Sequence, residues 1–181
     1  MHLLNIWMFF GLLLVNTPSS ELVVAKDQSG HFKDIQSAID SAFINKNIRK
    51  IKIKSGEYRE KIMIDSTIRF LNIEGENRDE VIIISTIARD IWRCQNADDY
   101  GAATINVKGS DLTFRNLTVI NDYGLLTDKS IEIPCPNRFD PGKLADIDSS
   151  GIRTVKPECH QFAFRSMPGS TRLQFYNCTF I

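Results

Sequence analysis

The sequence predicts an all-β fold of stacked coils, a parallel β-helix, and three observations carry that reading. The first is an internal repeat. LTFRNLTVI (Leu112 to Ile120) aligns with LQFYNCTFI (Leu173 to Ile181), with Leu, Phe, Asn, Thr and Ile in the same places and an offset of 61 residues. A repeated strand with an asparagine at a fixed place fits coils lying one above another, where like side chains share hydrogen bonds. The second is a series of short runs rich in Ile, Val, Phe and Thr, with no Asn-Gly or Asp-Gly pair to close a two-residue hairpin. The third is a single amphipathic helix near the N-terminus, with no convincing helix after it. A helix so placed would cap the open end of the coil and shield its edge.

The elements follow in order. Leu22 to Ala25 reads as a short strand, and Asp27, Ser29 and Gly30 as a turn. Phe32, Ile35, Ile39 and Ala42 then recur at spacings of three and four, with Ala38 beside them, which predicts a helix of about three turns. Apolar runs come next at Ile51 to Ile53, Ile62 to Ile64, Phe70 to Ile73, Val81 to Ile84, Thr104 to Val107, Leu112 to Ile120, Phe162 to Phe164 and the final repeat. RKIKIK (Arg49 to Lys54) alternates cations with isoleucines, the signature of a strand with one solvated face. From about 121 to 157 the pattern fails: Pro134, Pro136, Pro141, Gly142 and Cys135 interrupt it. An insert of that length is expected to leave from a coil corner and to wall a groove.

Composition sets the outer bounds. The chain has 181 residues, 43% hydrophobic and 24% charged, enough for one domain with a sizeable core. Its 22 basic and 22 acidic residues balance, so no nucleic-acid partner is expected. Leu3 to Val15 is almost wholly apolar and gives way to small polar residues up to Ser20. This reads as a secretory signal over residues 1–20, although no Lys or Arg precedes it and Pro18 lies near the cleavage point. An uncleaved tether is the alternative; after cleavage no stable membrane insertion is expected. Residues 21–181 then form a secreted domain, extracellular or periplasmic. Cys94, Cys135, Cys159 and Cys178 fit no metal-binding spacing. In an exported protein they allow one or two disulfides with the pairing open, and Cys178, in a strand, suits a buried free thiol.

Four segments in order resemble one family. DQSGHFKDIQSAIDSA (Asp27 to Ala42), SGEYREKI (Ser55 to Ile62), GAATINVKGSDLTFRNLTVIN (Gly101 to Asn121) and CHQFAFRSMPGSTRLQFYNCTF (Cys159 to Phe180) are similar to successive pectinesterase motifs. The long Cys-containing insert resembles the bacterial branch. The resemblance implies a right-handed, pectin-lyase-like β-helix and an aspartyl esterase. The implied reaction hydrolyses methyl esters of homogalacturonan to methanol and free galacturonate, with no metal or cofactor. It implies two aspartates, one a nucleophile and one a general acid then base, an arginine that orients the nucleophile, and glutamines at the oxyanion. Residue by residue, Gln161 matches the His-Gln motif as an oxyanion donor and substrate contact, and Thr104 matches a strand threonine that contacts substrate. The aspartates and the arginine would follow the strand Thr171 to Ile181. The chain is therefore expected to be the N-terminal part of the catalytic domain, with a C-terminally incomplete coil, acting on pectin as a monomer.

Blander readings stand beside these. Gln161 could bond a neighbouring coil, Thr104 could reflect strand propensity alone, and His160 is expected to position its strand. Asp98, Asp99 and Asp122 read as loop or turn residues, although a nucleophile would be sought among them if the chain proved active. Asp146 and Asp148 read as loop residues too, a weak calcium site there having no support. Asn116 and Asn177 fit the glycosylation pattern but read as ladder asparagines. Two rival functions remain: a non-catalytic β-helix that binds pectic polysaccharide, and an inert truncated fragment. A polysaccharide lyase or polygalacturonase would share the implied fold. Their lysine or arginine base, or aspartate cluster, is not found.

Overall fold

The computed structural model describes residues 19–136 and 151–181. The expected signal over 1–20 lies almost wholly outside them, as do Asp146 and Asp148. Twelve strands and three helices are described. Strands β1 (Glu21–Val24), β2 (Lys50–Ile53), β5 (Arg69–Gly75), β8 (Ser110–Asn121) and β12 (Leu173–Phe180) stack in parallel as one face. A second face stacks β3 (Gly56–Arg59), β6 (Val81–Ser85) and the far half of β8. A third stacks β4 (Ile62–Ile64), β7 (Ala103–Val107) and β11 (Phe162–Ser166). The chain visits the faces in turn, and each strand pairs with its counterpart in the next coil, which is the parallel β-helix the repeat predicts.

β8 serves two faces because it turns a corner. Asn116 sits there in the left-handed region (φ 52°), a conformation asparagine tolerates better than most residues. Asn177 repeats it one coil on, at φ 51°. The two strands pair with Leu112 opposite Leu173, the register of the sequence repeat. Asn177 Nδ2 donates to Asn116 Oδ1 at 2.9 Å, so these asparagines form a ladder. One coil earlier the same corner holds Gly75, where a Cβ would lie 2.1 Å from the Asn116 carbonyl oxygen.

The core fills the tube with Ile and Val from all three faces, joined by Tyr58 and Phe114. RKIKIK alternates as expected, with Ile51 and Ile53 buried and Lys52 exposed. Helix α1 (Ile35–Ile44) sets Ile35, Ala38, Ile39 and Ala42 on the end of this core. Its first amides are satisfied twice over. Asp34 accepts from Ser37 N at 2.8 Å, and the Glu60 carboxylate, one coil away, accepts from Ile35 N and Gln36 N at 2.9 and 3.1 Å. Burial raises the Glu60 carboxyl above its ordinary value, and the two amides work against that rise.

Both long insertions leave at one corner, between the second face and the third. The first carries α2 (Arg89–Gln95), a helix absent from the sequence expectation. The second carries α3 (Tyr123–Leu126) and an antiparallel pair, β9 (Ile131–Pro134) with β10 (Ile152–Val155). A Cys94–Cys135 disulfide ties α2 to this hairpin, and Arg153 Nη2 pairs with Asp90 at 2.8 Å beside it. Cys159 and Cys178 are free, both half-buried. The bridge closes a loop of 41 residues. Replacing both of its cysteines by serine is expected to cost about 2–4 kcal/mol of stability. A melting temperature the same for the variant and the oxidised wild type would refute that stabilisation.

Candidate functional site

The third face presents its outer surface to these insertions. Ile105 and Val107 of β7 point into the core, which leaves Thr104 and Asn106 on the outside, Asn106 beneath the loop after α2. Asn106 is buried and fully used. Its Oδ1 accepts from Gly101 N and Ala103 N, and its Nδ2 donates to Ala103 O and Ile62 O. That clamps the loop onto the sheet. Gly101 adopts φ 134° with the Trp92 ring where a side chain would stand.

Thr104 and Gln161 lie on neighbouring coils but not opposite one another: β7 and β11 pair with Phe162 opposite Ala103, and Gln161 directly precedes β11. Thr104 is fully buried. Its hydroxyl donates to Ile120 O at 2.8 Å, so the Ser85 hydroxyl 2.8 Å away must donate to it. Ser85 lines a cavity of about 240 Å³ with Arg59, Lys61 and Thr86. Lys61 precedes β4, and its ammonium lies 3.6 Å over the Trp92 ring. Burial lowers its pKa to about 8. Neither residue stood out in the sequence. The available signal was that Lys61 lies inside the SGEYREKI segment, immediately before a strand.

Gln161 is half-buried and held at both ends. Gly124 N donates to its Oε1 at 2.7 Å, and its Nε2 donates to Pro157 O at 2.7 Å. A carboxamide nitrogen has two hydrogens, so one N–H remains uncommitted on a group already fixed in orientation. His160 sets its strand through backbone and ring. Its carbonyl accepts from Arg89 N at 2.9 Å, and its ring stacks on Phe162.

The carboxylates nearby are all engaged. Asp99 takes Arg89, Arg93 and Arg165 together. Asp98 accepts from Tyr100 N at 2.7 Å and from Trp92 Nε1 at 3.4 Å. Asp122 is buried, accepts from the Thr86 hydroxyl, and lies 3.7 Å from Arg59. Each of the three thus carries at least one hydrogen bond or ion pair. Among the described residues no group of three or more His, Cys, Asp or Glu could hold a metal ion, and no helix is long and apolar enough to cross a membrane.

A parallel β-helix with its insertions at one corner, and with His160 and Gln161 leading into a third-face strand, is the class of fold that the four motifs imply. The family model "Pectinesterase" matches residues 21–135, and the chain belongs to the pectinesterase family. It is 32% identical over 111 residues to "Probable pectinesterase/pectinesterase inhibitor 6" of Arabidopsis thaliana, an alignment covering 60% of this chain and 19% of that protein. Among solved structures it resembles the pectin methylesterase PemA from Erwinia chrysanthemi, with 26% identity and a TM-score of 0.55, over 86% of this chain and 41% of that one. A pectin methylesterase solved in complex with a hexasaccharide matches at 27% identity, TM-score 0.55 and the same coverage. The chain thus spans less than half the length of each. Plant and bacterial proteins both match, and the bacterial branch is not confirmed.

Proposed function

We propose that this protein takes part, as a secreted pectinesterase, in hydrolysing galacturonate methyl esters of pectin to methanol and free carboxylate. The observation that carries the reading is Gln161. Its carboxamide is pinned by Gly124 N and Pro157 O, with one N–H left for a ligand oxygen. A donor fixed before the reaction stabilises the oxyanion of a tetrahedral intermediate without reorganising during it. Thr104 belongs to the proposed substrate-binding pair through its hydroxyl chain to Ser85 at the cavity edge. The hexasaccharide bound by one similar pectin methylesterase supports a pectic polysaccharide as ligand. This proposal takes the nucleophile and the acid/base carboxyl from outside the described residues, as the resemblance implies, and not from Asp98, Asp99 or Asp122.

The test is methanol release from highly methylated pectin by the full-length protein. Gln161→Ala is expected to lower kcat by about 10²–10³-fold with KM little changed, the cost of removing one oxyanion donor. A wild-type kcat in that variant would end the assigned role. Soluble, folded wild-type protein that released no methanol would favour a non-catalytic pectin binder instead.

A further inference from the structure

A second cavity lies at the capped end of the coil. Where the loop after α1 meets the turn between β4 and β5 there is a cavity of about 170 Å³ with an apolar floor that includes Ile48 and Leu71. At roughly 30 Å³ per water it could hold five or six, enough for one edge of a sugar ring. Lys46, Arg49 and Arg69 line it, and no carboxylate does. Among the described residues the Arg69 side chain makes no hydrogen bond or ion pair; its charge acts on Asp111, which Arg172 already holds. Arg49 spends one terminal nitrogen on Lys46 O at 2.6 Å, and Lys46 lies over the Phe43 ring at 4.4 Å.

The rim carries an independent signal. Each coil turns here through a left-handed residue: Phe70 (φ 57°), Asp111 (φ 58°) and Arg172 (φ 53°). The bend itself belongs to the fold, but a phenylalanine in it is unusual. A bulky ring gains nothing from a left-handed backbone, and Phe70 is 62% exposed, so it gains little from burial either. Phe43 is also exposed, at 43%. A cavity lined by cations and no carboxylate, beside exposed aromatic faces, suits a ligand with a negative edge and an apolar face. A phosphate ion has the first without the second; a uronate sugar has both.

We propose that this cavity binds a free galacturonate unit of de-esterified pectin, its carboxylate against Arg69 and Arg49 and its ring against Phe70. The choice of galacturonate rests on the pectin reading above. The cavity adjoins the end of β4 and Gln161 the beginning of β11, apart by about 17 Å along the strands and by two strands across the stack. It would hold product while the groove takes the ester.

The experiment titrates the full chain calorimetrically with trigalacturonate and with its fully methyl-esterified counterpart. Arg69→Gln removes the free cation. Phe70→Asn removes the ring but keeps a residue at ease in the left-handed turn. Each is expected to weaken trigalacturonate binding at least about tenfold, and esterification to weaken wild-type binding as much. Wild-type affinity in both variants, equal affinity for the methylated trimer, or no trigalacturonate binding by wild type would overturn the proposal. Methanol release is read separately. Its absence would remove the proposed reaction and leave the binding result standing, while full activity without trigalacturonate binding would do the reverse.

Discussion

Asp99→Asn is expected to lower stability by about 3 kcal/mol, the low end of what breaking a buried ion pair from one side costs, because the cluster is only partly buried. The carboxylate side chain is 12% exposed and stands at the junction of three elements. Arg89 grips both oxygens from α2, at 3.1 and 2.5 Å; Arg93 approaches from one turn further on, at 3.2 Å. Arg165 reaches in from β11 at 3.3 Å and also donates to the Asp99 carbonyl at 3.1 Å. Asparagine would leave three guanidiniums around a neutral group. Burial opposes ionisation of Asp99, but the hydrogen bonds from Arg89 and Arg165 outweigh it and hold the carboxyl below its ordinary value. The sign follows. A depressed folded pKa gives stability that is full above the unfolded value, near 3.9, and is lost as pH falls through the folded one. Melting at pH 7 should therefore separate wild type from the variant by roughly 10 °C, and the gap should close in strong acid. A gap of a degree or two at pH 7 would show that the arginines are served by solvent instead.

The coil was legible in the sequence because stacking makes like sit on like. Asn116 and Asn177 could be read as a ladder from their shared place in the repeat, and the structure joins them by a hydrogen bond. The N-terminal helix was legible because Ile35, Ala38, Ile39 and Ala42 fall on one face. The corner inside β8 was not: in Leu112 to Ile120 only Asn116 interrupts a strand-friendly run, and its left-handed turn reveals that the strand serves two faces. β3 was missed because Tyr58 is its one buried side chain, which leaves no alternation to see.

The insertions were the least legible part, for a related reason. RDIWRCQ buries only Arg93 and Cys94, has no side-chain N-cap, and is fixed from outside by a disulfide and by Asp99. Interactions between distant loops leave no period in a sequence. Gln161 and Thr104 could be picked out by family motif, but the partners that fix them, Gly124, Pro157, Ser85 and Ile120, lie 16 to 37 residues away or in proline-broken chain. Asp99 shows the limit most clearly. Beside Asp98 and Tyr100 it reads as a solvated loop acid, and only the fold brings Arg165 to it from 66 residues on.

Phe114→Ala should cost about 3–5 kcal/mol, as emptying a large core site does, whereas Phe175→Ala should cost clearly less. Phe114 is 2% exposed and is the hub of an aromatic column. Phe164 from the third face meets it edge-on at 5.3 Å, and Phe175, one coil along, stacks on it at 5.4 Å and 13°. Phe164 also meets Phe175 and Phe180 edge-on, at 5.0 and 5.6 Å. Alanine at 114 would remove the ring that links two faces and two coils, leaving a void that flat neighbouring rings cannot close. Phe175 touches the same rings but is 41% exposed, so water already covers part of what its loss would uncover. Because the two rings are in contact, the double variant should lose less than the sum of the singles. Urea unfolding of the three variants measures all of this at once. Equal costs at the two positions, or strict additivity, would mean that the column is a set of independent contacts and not the shared core of successive coils.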